Sequence, residues 1–93
     1  SKLGGYWDAK NEIDIAALDP EGKNLILGEC KYWKEPVGLN VLHALESKAG
    51  DVAWERDRRK VWYVLFSISG FSDELRNHAA TRDDLLLIDD GER

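Results

Sequence analysis

The 93-residue chain has no methionine, a single cysteine and only two prolines. The missing methionine, initiator included, sets the expectation of a domain cut from a longer protein. Cys30 by itself makes no internal disulfide, and a lone thiol without export features fits a reducing cytoplasm. No apolar run approaches the roughly 20 residues a membrane span requires. The opening Ser1-Lys2-Leu3-Gly4-Gly5 lacks the apolar core and cleavage site of a signal peptide. Positive charge is also short: 13 Lys and Arg stand against 18 Asp and Glu, for a net charge of −5. That balance opposes a sequence-independent nucleic-acid binder with a broad basic face. The local cluster of Arg56, Arg58, Arg59 and Lys60 is diluted by Glu55 and Asp57 and reads as a solvated loop. His43 and His78 have no partner at ligand spacing, which leaves no Cys/His cluster for zinc. The glycines lack the spacing of a phosphate loop.

What is present is 43% hydrophobic and 33% charged, the composition of a globular protein, in a length that suits one domain over residues 1–93. Leu3 to Trp7 reads as a short edge strand. Glu12 to Leu18 alternates, with Ile13, Ile15 and Ala17 on one face. Asp19-Pro20-Glu21-Gly22-Lys23 is turn chemistry, proline fixing φ and Gly22 free to take positive φ. Asn24 to Trp33 returns as a second strand, closing a β-hairpin. An amphipathic helix follows from Leu39 to Trp54, with Val41, Leu45, Ala49 and Val52 on one face. Lys60 to Ser67 is a buried strand, Asp73 to Thr81 a helix capped by Ser72, and Leu85 to Ile88 a closing strand. The order is β-β-β-α-β-α-β. A helix between the hairpin and the Lys60 strand lets that strand pair in parallel, giving a mixed sheet with helices packed on it.

Three E-x-K triplets occur, but Glu21-Gly22-Lys23 lies in a turn and Glu46-Ser47-Lys48 on a helix. Only Glu29-Cys30-Lys31 interrupts an apolar strand. Period two puts Leu25, Leu27, Glu29, Lys31 and Trp33 on one face and Cys30 on the other. If Asp19 pairs with Asn24, then Leu18 faces Leu25, Ala16 faces Leu27, Asp14 faces Glu29 and Glu12 faces Lys31. Two carboxylates directly opposed repel one another. A hard divalent cation relieves that repulsion, since Mg²⁺ is often held by one or two carboxylates plus water; a shared proton is another solution. The alternative is a hydrated surface cluster in which Glu12 pairs with Lys31 and neither carboxylate is special. Lys48 sits at one margin of the helix's apolar stripe. It either snorkels to solvent or reaches over the sheet towards the carboxylates. Cys30 reads as a small core residue rather than a nucleophile, and Trp54, Trp62 and Phe71 as core or helix-docking residues.

Asp14 followed by Glu29-x-Lys31 on the next strand resembles the PD-(D/E)xK motif of restriction-endonuclease-like nucleases. Residues 4 to 88 also resemble the domain at the C-terminus of archaeal and bacterial AAA-type ATPases. That likeness is carried by Gly5-Tyr6-Trp7, Glu12-Ile13-Asp14, Gly28-Glu29-Cys30-Lys31-Tyr32-Trp33, Phe66-Ser67 and Gly70-Phe71-Ser72. The motif's proline is absent, since Ile13 precedes Asp14. The resemblance implies a DNA nuclease-like domain in which Asp14 and Glu29 bind Mg²⁺ or Mn²⁺, the Cys30 carbonyl completes the shell, and Lys31 positions the attacking water. It also implies a helix ahead of the sheet, which often supplies another glutamate, and an attached ATPase. The alternative is an inactive accessory module that docks the ATPase. The full Asp/Glu/Lys set favours the first expectation and the acidic charge the second.

Overall fold

The computed structural model describes residues 2–3, 14–52 and 58–89. Its elements are β1 (Lys2–Leu3), β2 (Ile15–Asp19), β3 (Asn24–Lys31), α1 (Leu39–Asp51), β4 (Lys60–Ser67), α2 (Asp73–Ala79) and β5 (Leu85–Asp89). The expected positions Gly4–Trp7, Glu12, Ile13, Trp54 and Arg56 lie outside the described residues.

The hairpin closes in the register that apolar matching requires. Asp19 pairs with Asn24, Leu18 with Leu25, Ala16 with Leu27 and Ile15 with Gly28. The turn differs in one detail: positive φ falls on Lys23 (57°), not on Gly22. Gly22 is needed for space instead. A Cβ there would stand 2.6 Å from Asp19 Oδ2 and 2.7 Å from Asn24 Nδ2, and Asp19 needs that room. Its carboxylate accepts from Asn24 Nδ2 at 3.0 Å and from the Gly22 amide at 3.3 Å.

β3 then pairs in parallel with β4, and β4 with β5, while β1 pairs antiparallel with β2. The result is a five-stranded mixed sheet in sequence order, with α1 and α2 as the two crossovers. Parallel neighbours require such crossovers because no tight turn reverses the chain twice. One face of the sheet carries Leu25, Leu27, Tyr63, Leu65 and Leu85, which pack with Val41, Leu42, Leu45 and Ala49 of α1 and Leu75 of α2 in a single core. The other face carries Ile26, Cys30, Trp62, Val64 and Phe66, all half-buried, with Leu86 and Ile88 exposed. No described helix packs there. Cys30 therefore points away from Glu29 as expected, but onto a partly open face rather than into the core.

Helix ends are fixed by named groups. Ser72 Oγ accepts the Leu75 amide at 3.1 Å, and Asp73 and Glu74 lie in the first turn, where the helix dipole favours them. The C-terminal carbonyls of α1 are met by Arg59, whose guanidinium donates to Ala49 O at 2.6 Å and Val52 O at 2.7 Å. At least Arg59 of the basic cluster is thus a cap rather than a solvated charge. Gly70, at φ 82°, turns the chain between β4 and α2, where its carbonyl accepts the Val37 amide at 2.9 Å.

Arg82 ties α1 to the start of β5. It makes two 2.9 Å bonds to the Asp84 carboxylate and a 2.7 Å bond to Glu46. The guanidinium holds the Asp84 carboxyl below its ordinary value. The stability this contributes is full above the unfolded carboxyl pKa of about 3.9 and is lost as pH falls through the lower folded value. Asp84→Asn is expected to lower stability by about 1 kcal/mol at neutral pH, with the gap to wild type closing in strong acid. Urea unfolding at both pH values checks this; a gap independent of pH contradicts it.

Candidate active site

β3 runs apolar from Leu25 to Gly28 and then carries a carboxylate on the same buried face. Glu29 is only 5% exposed. A charge taken out of water there requires paired partners, and two lysines supply them. Lys48, one turn from the end of α1, brings Nζ to 2.7 Å from Glu29 Oε1. Lys31, two residues further along β3, brings Nζ to 3.7 Å from Oε2. Each carboxylate oxygen thus faces a different ammonium, one from the sheet and one from the helix above it. Of the two fates open to Lys48, the structure takes the reach over the sheet. Glu29 therefore pins α1 to β3 electrostatically as well as through the leucines.

Asp14 stands one step beyond the last hairpin pair, Ile15–Gly28, and so in line with Glu29. Its side chain is exposed, and Oδ2 accepts the Cys30 amide at 2.8 Å. That bond spans the point where the β2–β3 ladder ends and orients the carboxylate from the backbone side. Burial first, then the charges of Asp14 and Glu29, raises the Cys30 thiol above its usual pKa. A thiol so biased stays protonated and is a poor nucleophile. Cys30 thus contributes its backbone amide here.

The site lies at the carboxyl end of β3, beside the carboxyl end of β4. Lys31 pairs with Ser67, and the Ile68 amide donates to Lys31 O at 3.3 Å. Crevices outside the carboxyl ends of parallel strands are where open α/β sheets bind ligands. Lys31 of β3 and Lys48 of α1 thus meet on the buried Glu29 carboxylate, while Asp14, just ahead of β2, is held on the neighbouring Cys30 amide.

Residues 1–57 match a family of archaeal and bacterial proteins of unknown function, DUF234, over more than half of the chain. The chain belongs to the DUF234 family. The matched segment holds Asp14, Glu29, Lys31 and Lys48, whereas β4, α2 and β5 lie beyond it. No curated protein and no solved structure matches the chain.

Two features around this site were not foreseen from the sequence. Lys31 Nζ lies 5.0 Å from the centre of the Trp33 ring, so the lysine is flanked by an aromatic as well as by Glu29. Ser69 Oγ donates to the Trp33 carbonyl, tying the segment after β3 to the segment after β4. The period-two pattern already places Trp33 on the Glu29–Lys31 face; what it does not give is the closeness of ring and ammonium. Ser69 carries no local signal.

Removing one partner of a buried pair leaves the other uncompensated. Lys48→Met is expected to lower stability by about 1–3 kcal/mol, with Lys31 remaining as a weaker partner to Glu29. Urea denaturation with an unchanged m-value checks this; a loss under about 0.5 kcal/mol would make the pair an ordinary surface contact.

Proposed function

We propose that this domain is a metal-dependent phosphodiester hydrolase of the PD-(D/E)xK, restriction-endonuclease-like kind, acting on DNA and joined to an AAA-type ATPase region. The observation that carries the reading is the buried Glu29 carboxylate paired with Lys31 and Lys48, with the Asp14 carboxylate fixed next to it in sequence register on the Cys30 amide. Clusters of buried, paired titratable groups at the mouth of a sheet crevice are costly to maintain and concentrate at functional sites.

The donor chemistry suits Mg²⁺ or Mn²⁺: hard carboxylate oxygens from two neighbouring strand ends, with the Cys30 carbonyl as a further oxygen. Among the described residues no group of three His, Cys, Asp or Glu is assembled, so water and a substrate phosphate would complete the shell. Such a cation supplies Lewis-acid polarisation and a more acidic bound water. The chain's own groups do the rest. Asp14, aimed by the Cys30 amide, and Glu29, held by Lys48, offer carboxylate oxygens at fixed positions. Lys31 orients the attacking water and offsets negative charge as it develops on the phosphoryl oxygens. Lys48 acts through Glu29, as a positioning residue. A cytoplasmic setting goes with this reading; among the described residues no helix is long and apolar enough to cross a membrane.

A second reading, an inactive module that docks the ATPase, is favoured by one observation. The sheet face away from the helices leaves Leu86 55% and Ile88 38% exposed beside the half-buried Phe66 and Val64. Sheets containing parallel strands usually have both faces covered.

Calorimetric titration of Mg²⁺ and Mn²⁺ into wild type and Asp14→Ala separates the two readings. The hydrolase reading expects binding heat in wild type, its loss in the variant, and Asp14-dependent cleavage of DNA by the full-length protein. Equal heats, or none in either, would contradict it and leave the docking module.

A further inference from the structure

The geometry points to Trp33 as a base-stacking platform beside the phosphodiester site, making single-stranded nucleic acid the substrate class. The inference rests on the hydrolase reading of Glu29 and adds what the substrate must look like. Trp33 is 41% exposed, a large apolar surface that packing does not account for. One ammonium spans ring and carboxylate: Lys31 Nζ is 3.7 Å from Glu29 Oε2 and 5.0 Å from the ring centre. Ring and carboxylate are therefore both neighbours of the same ammonium. A phosphate drawn to Lys31 would leave its attached base against the indole.

The backbone around the ring is held. The Trp33 carbonyl accepts from Ser69 Oγ, and four residues on, Val37 bonds to Gly70 O at 2.9 Å and to the Ser72 amide at 2.8 Å. A platform fixed in this way gives up little entropy when a base lands on it. An exposed ring accepts only an unstacked base, and duplex bases are already stacked on each other. Net charge points the same way. A chain at −5 gains little from general phosphate attraction, so affinity has to come from stacking and a few local cations. Tyr32, 75% exposed, makes an internal control: an accessible aromatic next in sequence to Trp33, it lines the cleft of about 420 Å³ with Lys31, Phe66 and Ile88 rather than following the Glu29 face.

The test uses the full chain without divalent metal, titrated with a short oligothymidylate and, separately, with a blunt duplex, following tryptophan fluorescence and anisotropy. The expected result is preference for the single strand with quenching of indole emission. Trp33→Ala should bind about 5- to 100-fold more weakly, while Tyr32→Ala binds as wild type. Trp33→Phe should retain most affinity and lose most of the quench. Equal affinity for duplex and single strand, an unchanged Trp33→Ala, an equal loss in Tyr32→Ala, or no binding at all would overturn the inference. Asp14-dependent cleavage alongside any of these would leave the hydrolase reading standing.

Discussion

The carboxylate of Glu29 sets the terms for the rest of this fold. It enters the core face of the sheet directly after Leu25 and Leu27 and is nearly closed off from water. Its pairing with Lys48 requires α1 to cross β3 near that helix's last turn, and its contact with Lys31 requires β3 to stay extended two residues further. Apolar packing alone tolerates sliding of a helix over a leucine surface. A 2.7 Å ion pair at the edge of that surface does not. The core and the charged cluster thus specify one arrangement of helix on sheet.

Much of this was legible in the residues because the hairpin has only one register that matches apolar with apolar. Fixing Asp19 against Asn24 aligned Leu18 with Leu25 and Ala16 with Leu27, and so brought Asp14 to the level of Glu29. A slip of one residue would have turned every buried side chain outwards. Lys60–Ser67 was equally plain, being an unbroken apolar run between polar ends. The less legible parts depend on contacts that no local pattern encodes. Lys48 at a stripe margin suits either solvent or the sheet, and only the position of α1 decides. Arg59 looked like one charge among several until the end of α1 came within its reach. In the turn, φ > 0 falls on Lys23, and Gly22 leaves room beside Asp19.

The sheet is unequal on its two sides, and this bears on both readings of function. The helix side holds the core and the charged site. The other side presents Leu86, Ile88 and Ile68 to solvent, among half-buried Trp62, Val64 and Phe66. An apolar face for docking and a charged site occupy opposite sides of the sheet, and the two readings need not compete. The charged site is the harder feature to explain by packing. Apolar residues would fill the place of Glu29 and Lys48 without the desolvation that two charges incur.

Under the proposed reading Glu29 is kept as a ligand and Lys48 to position it, rather than for stability. The most direct test is the double variant Glu29→Met with Lys48→Met, compared with wild type by urea unfolding and Mg²⁺ calorimetry. The account predicts stability within about 1 kcal/mol of wild type, or above it, together with loss of the binding heat. A double variant several kcal/mol less stable, or one that still binds Mg²⁺ as wild type does, would contradict it.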